Sequence, residues 1–149
     1  MKLRFNSLWL VLLFAVILYS CSSSNKSTTV TYELQTGDYT FSLWDSNNKI
    51  LIDGSLTVGS ITETAVIGTY KTTMLYDSTF STASKLTGGN FTGKFSSKTG
   101  MLGFNMNPKI ADNNVYFSGK ADGDKITGDW TESTMMGTKN TGKFQAIKK

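Results

Sequence analysis

The sequence predicts an all-β fold: an eight-stranded antiparallel up-and-down β-barrel, with a two-sheet β-sandwich as the alternative, after an N-terminal signal peptide and a flexible tether. Three observations carry this. From about residue 32 onward, short segments alternate apolar and polar residues and are split by Asn, Asp, Ser and Gly, the pattern of half-buried antiparallel strands. A degenerate unit (large apolar, any residue, Gly, any residue, large apolar) recurs at 66–70, 91–95, 117–121 and 126–130, and in half form at 37–39 and 142–144. The connections are short, which favours sequence neighbours as sheet neighbours, and eight such strands suit a barrel with no open edge.

Residues 1–20 read as a signal peptide. Lys2 and Arg4 precede an 11-residue apolar run at 8–18, and a small residue, Ser20, stands at the cut site. Spanning a bilayer takes about 20 apolar residues, so the run is a signal core and not a membrane helix. Residues 22–29 are polar without periodicity and read as a tether, which with Cys21 occupies 21–31 and leaves 32–149 for the barrel.

Within the barrel, the first strand spans 37–44 and ends at Asp45, Ser46, Asn47 and Asn48. The second spans 49–58, with Asp53-Gly54 as a bulge or a tight turn. A third covers 63–71 and a fourth 85–96, the latter closed by a turn at 97–100. The fifth, 101–107, stops at Pro108, the single proline. The sixth and seventh, 114–121 and 125–133, are joined through Asp122-Gly123-Asp124, read as a type I′ hairpin, and the eighth spans 141–147. No helix is predicted after the signal.

Parity then sorts the side chains. Tyr39, Phe41, Tyr70, Phe91, Phe95, Phe104, Phe117, Trp130 and Phe144 share the inner face with the repeat glycines and with aliphatics such as Ile50, Ile52 and Leu56. Thr, Ser, Lys and Asp face outward, the reverse of a membrane barrel. An eight-stranded barrel is just wide enough either to be filled by side chains or to hold one small ligand. On the second reading the ligand-binding residues are Tyr39, Phe41, Tyr70, Phe95, Phe104, Phe117 and Trp130, with Tyr39, Tyr70 and Trp130 supplying polar handles. The glycines relieve crowding and make room for a neighbouring aromatic, or equally for a ligand. Met74, Leu75, Tyr76 and Phe80, in the long loop 72–84, form a binding lip or a plug over one barrel end. Met135 and Met136 admit the same two readings.

Composition bears on chemistry. There is no histidine, the one arginine is Arg4, and the one cysteine is Cys21. After the signal the chain offers no His or Cys metal ligands, no Ser–His or Cys–His pair and no guanidinium fork. No catalytic residue, metal site or cofactor is predicted, and the protein reads as a non-enzyme. Asp122 and Asp124 lack the rest of a calcium loop, and Asp129 and Glu132 have opposite parity, poor geometry for a glycosidase pair. Without Lys2 and Arg4 the chain carries thirteen lysines against eleven acids, scattered singly, which argues against a nucleic-acid partner.

The tetrad Leu18-Tyr19-Ser20-Cys21 resembles a bacterial lipobox, departing from it in the bulky Tyr19. That resemblance implies acylation of Cys21, removal of the peptide before it, and a membrane partner reached through acyl chains. Ser22 in place of Asp, and a tether without an acidic cluster, imply the outer membrane on its periplasmic side. The barrel segment, through Gly37-Asp38-Tyr39, residues 67–70, 86–91, 117–120 and 126–130, resembles the calycin group of lipocalins and avidins. It implies a non-catalytic envelope protein that binds a small apolar or amphipathic molecule. Tyr39 stands where lipocalins carry tryptophan, and 134–149 lacks the late acid of avidins, so biotin is not implied. The alternative is a solid-core envelope module that binds a protein or glycan, similar to the inhibitor-type barrels of periplasmic lysozyme inhibitors. No particular protein partner is indicated.

Overall fold

In the computed structural model, which describes residues 30–149 apart from Ala111, the alternating segments close into an antiparallel barrel. Its strands are β1 (Gly37–Asp45), β2 (Ile50–Ile61), β3 (Val66–Leu75), β4 (Gly88–Phe95), β5 (Met101–Asn105), β6 (Asn113–Asp122), β7 (Lys125–Thr134) and β8 (Gly137–Lys148). Each strand pairs with its sequence neighbours, and β1 closes the ring on β8 from Tyr39 opposite Lys148 to Asp45 opposite Gly142. The barrel forms, and the sandwich does not. The predicted signal peptide, Cys21 and the tether up to residue 29 lie outside the described residues.

Several boundaries differ from the sequence reading, each for a local reason. Thr62 and Ala65 close a turn through paired hydrogen bonds, so β3 starts at Val66 and not at residue 63. Residues Ser81–Lys85 wind into a 3-10 turn, which moves the start of β4 to Gly88. β8 begins earlier than residue 141, because Thr134 and Gly137 pair around a two-residue loop, Met135-Met136. Asp53-Gly54 is a register irregularity and not a turn: Asp53 faces Met74 and Gly54 faces Thr72, so the extra residue is Thr73 on β3. Gly123 has φ 60° while Asp124 does not take positive φ, the pattern of a type II′ hairpin in place of type I′.

The inner face follows predicted parity with one correction at Ile50. Leu43 pairs with Ile52 but Trp44 pairs with Ile50, so Leu51 is an extra residue that turns inward, 4% exposed. Ile50 is left half-buried.

Inside, four of the six repeat glycines and Gly54 share one setting, while Gly119 meets the Thr127–Gly128 backbone and Gly37 the Lys148 side chain. Five inward glycines lie directly across the ladder from five inward aromatics: Gly54 from Phe41, Gly68 from Phe91, Gly93 from Phe104, Gly128 from Phe144 and Gly142 from Trp130. In each pair the ring lies over its glycine, in the space a Cβ would take. The rings then pack on one another, with Phe91–Phe104 centroids at 4.7 Å, Phe117–Phe144 at 4.8 Å and Phe41–Phe117 edge-on at 6.0 Å.

This predicts a coupled cost. A Cβ at Gly93 would lie 2.5 Å from Phe104 Cδ1 and would overlap the Gly103 carbonyl. Gly93→Ala is therefore expected to lower stability by about 1–3 kcal/mol. Combined with Phe104→Leu, the loss should fall short of the sum of the two single changes by at least about 0.5 kcal/mol in a urea-unfolding double-mutant cycle. Strict additivity would contradict the seating of the ring on the glycine.

Candidate functional site

Of the seven residues predicted to bind a ligand, six are core. Tyr39, Phe41, Tyr70, Phe104, Phe117 and Trp130 are buried within one continuous cluster. Phe95, at the lower end of β4, is only half-buried and packs on the edge of that cluster.

The three polar handles all meet the protein itself. At the lower end, the segment 30–36 crosses the barrel mouth, with Leu34 buried in the core and the Tyr32 amide donating to Ser97 O at 2.8 Å. Tyr39 Oη donates to Gln35 O of that segment at 2.7 Å. At the upper end, Tyr70 Oη reaches Lys85 O at 3.2 Å and Asn107 Oδ1 at 3.3 Å. Trp130 Nε1 donates to Trp44 O at 2.8 Å. Burial pushes the Tyr39 and Tyr70 hydroxyls above the ordinary phenol range, so both stay neutral donors at physiological pH.

β3 runs on to Leu75 through its pairing with β2, so the predicted loop 72–84 is in fact 76–87, and it plugs the upper end. Asp77 starts it: its carboxylate takes the Lys49 ammonium at 2.7 Å, the Thr79 hydroxyl at 2.6 Å and the Thr79 amide at 2.9 Å. The Lys49 contact, followed by the Thr79 bonds, lowers Asp77 to about 2. Phe80 then packs edge-on against Trp130, 5.4 Å between centroids, and Thr82 and Leu86 are buried over the barrel mouth. Met74, Leu75 and Tyr76 remain exposed on the rim, as do Met135 and Met136 at 83% and 99%.

Beneath the plug sits Glu132, with no exposed surface. Its carboxylate accepts from Thr82 Oγ1 and Asn140 Nδ2, both at 2.6 Å, and from the Lys85 ammonium, which also reaches Asn113. Burial alone would raise this carboxyl. The bonds from Lys85, Thr82 and Asn140 outweigh it, and the group lies below the ordinary glutamate value. Glu132 thus latches the plug to β7 and β8. The sequence holds a signal for it, since Glu132 lies two residues past Trp130 and shares its inward parity. Weighing it only against Asp129 misses that.

A second polar knot has no such signal. Buried Asn114 donates to Asn105 Oδ1 at 2.6 Å and to Asn107 O at 2.9 Å, and accepts from the Val115 amide at 2.8 Å. It shapes the β5–β6 loop, which Asn107 ties to the plug through Lys85 O at 3.0 Å. Among the described residues every buried side-chain nitrogen or oxygen has a partner. None of these side-chain atoms is left unpaired for a ligand to meet.

Clefts lie on the outside. One of about 300 Å³ opens on the upper rim between Gly89, Asn107, Pro108 and Ile110. Another, of about 490 Å³, lies over β4–β6 beside Tyr116, and a third, of about 470 Å³, lies against Trp44 and Lys143. Phe104 and Phe117 contribute to the floor of the β4–β6 cleft, while none of the three includes Tyr39, Phe41, Tyr70 or Trp130 in its lining. Comparison with protein-family models and with curated proteins finds no match to this chain.

Proposed function

We propose that this protein is an envelope lipoprotein, acylated at Cys21 and held on the periplasmic side of the outer membrane, whose barrel is a solid, non-catalytic interaction module. Its outer wall and loops, not its interior, meet a protein or glycan partner. One observation carries the choice against a small ligand inside the barrel. The three inward residues able to orient a ligand are engaged elsewhere: Tyr39 fastens the lower cap, Tyr70 the upper plug, and Trp130 the wall at Trp44. The aromatics between them rest on glycines that leave each ring its own space. The anchoring half of the reading rests on the lipobox resemblance and on the polar tether behind Cys21. Several acyl chains make anchoring stable where one binds marginally.

Fractionation and native mass spectrometry test both halves. The wild-type chain should carry acyl mass and sediment with membranes. Cys21→Ser should fold with an unchanged melting temperature, appear in the soluble fraction and fly without an adduct. A Cys21→Ser protein that stays on the membrane contradicts the anchor. A lipid or pigment that co-purifies at one per chain contradicts the solid core.

A further inference from the structure

Charge is not spread evenly round the barrel. β1 and β2 carry Asp38, Asp45 and Asp53 and no lysine, whereas β3, β4 and β5 carry Lys71 and Lys94 and no acid. Lys98 and Lys109, in the connections before and after β5, and Lys120 on β6 extend the basic side. Elsewhere Lys49 pairs with Asp77 at 2.7 Å and Lys143 with Asp129 at 2.5 Å, while β7 and β8 also carry Lys125, Lys139 and Lys148 without an ion pair among the described residues, in the company of Asp124 and Asp129. Among the described residues Lys71, Lys94, Lys98 and Lys109 make no ion pair. The acids bordering this wall are Glu63 in the β2–β3 turn, Asp112 in the β5–β6 loop and Asp122 at the end of β6. Between the lysines stand three exposed apolar side chains, Ile67, Met101 and Tyr116. Lysines interleaved with a tyrosine and aliphatic groups suit a lipid headgroup region.

The chain also leaves the barrel at the foot of this same wall. Tyr32 bonds Ser97 in the β4–β5 turn, and its ring lies under the Lys120 ammonium, 4.0 Å from the centroid. Eight polar residues, 22–29, separate that segment from Cys21. A flexible coil of eight residues spans about 15 Å. Acyl chains at Cys21 therefore hold the bilayer beside β4–β6.

We infer that the β3–β6 wall lies against the anionic headgroups of the leaflet that holds Cys21, leaving the acidic β1–β2 wall to face away from the membrane. This orientation rests on the anchoring reading above. Each lysine brought near an anionic leaflet adds roughly fivefold to the bound population. That is weak for a free protein and sufficient for one whose tether keeps it at millimolar effective concentration.

The test uses the acylated protein extracted from membranes, with one engineered thiol on either wall, Thr92→Cys on β4 or Thr40→Cys on β1. Acylation of Cys21 leaves the engineered thiol as the sole one to carry a fluorophore. In vesicles of phosphatidylglycerol and phosphatidylcholine, nitroxide-headgroup lipid should quench the label at 92 several-fold more than the label at 40. The contrast should vanish in pure phosphatidylcholine, in molar salt, and in the triple variant Lys71→Glu, Lys94→Glu, Lys109→Glu. Equal quenching at both positions, or a contrast indifferent to lipid charge, overturns the orientation. So does a label at 92 that stays in water in anionic vesicles yet is shielded by soluble heparin, which would make the wall a glycan site. Failure of the anchor looks different: no acyl mass, a second reactive thiol at Cys21 and protein left in the supernatant, which removes the orientation with it.

Discussion

Trp130→Ala is expected to lower the unfolding free energy by about 3–5 kcal/mol and to create an apolar cavity beside Gly142. Trp130 is 1% exposed, the largest of the fully buried side chains. It faces Gly142, lies edge-on to Phe80 and bonds Trp44 O. Truncation leaves the void beside a glycine, which has no side chain to fill it. Partial collapse must come from the rings beside it, Phe80, which the plug holds in place, and Phe117, across the ladder on β6. Trp130→Phe retains a ring and loses mainly the Nε1–H bond, so its cost should be nearer 1 kcal/mol from that bond, plus the smaller ring's lost packing. Urea unfolding of the three proteins reads the ranking directly. Equal stability of wild type and Trp130→Ala would mean that the tryptophan is not a packed core residue.

Glu132→Ala should cost about 3 kcal/mol, the lower end of what breaking a buried pair costs. The lower end applies because the Lys85 side chain is 18% exposed and its stranded ammonium can turn to water. Thr82 and Asn140 lose their acceptor as well. Glu132→Gln keeps an acceptor for both and should cost less. The sign of the pH dependence follows from the shift. Because the folded group lies below its unfolded value, its stabilisation is fully present above the ordinary glutamate range and is lost as pH falls through the folded value. The stability gap between wild type and Glu132→Gln should therefore narrow on acidification from pH 7. A gap that widened would put the carboxyl's shift in the opposite direction. Hydrogen exchange should also place the damage first at the plug, Ser81–Lys85, before the ladder between β6 and β7.

Much of the fold was legible in the sequence because alternation and turn chemistry act locally. The eight strands follow from period-two patterning, and the Gly-x-aromatic repeat encodes cross-strand partners as well as strands. What stayed hidden has physical reasons. Ile50, Leu51 and Ile52 are all apolar, so hydropathy cannot say which of them a bulge turns inward. Phe80, Thr82 and Leu86 plug the barrel from a segment with no periodicity, where tertiary contacts with Trp130 and Glu132 decide the position. Asn114 is buried by loop closure, which no residue-spacing rule encodes. The candidate pocket shows the limit of parity most clearly. Parity gives the inward direction of Tyr39, Tyr70 and Trp130, but direction alone does not say whether a hydroxyl or indole meets a ligand or the chain's own backbone.

The solid interior is the centre of this account, and titration with a small apolar fluorophore such as 1-naphthylphenylamine tests it most directly, with Trp130→Ala alongside as the protein that has a cavity. Wild type should give no saturable signal while Trp130→Ala binds one probe per chain, because a dry apolar void admits small aromatics. Saturable one-to-one binding to the wild-type barrel, displaced by fatty acid, would contradict the account.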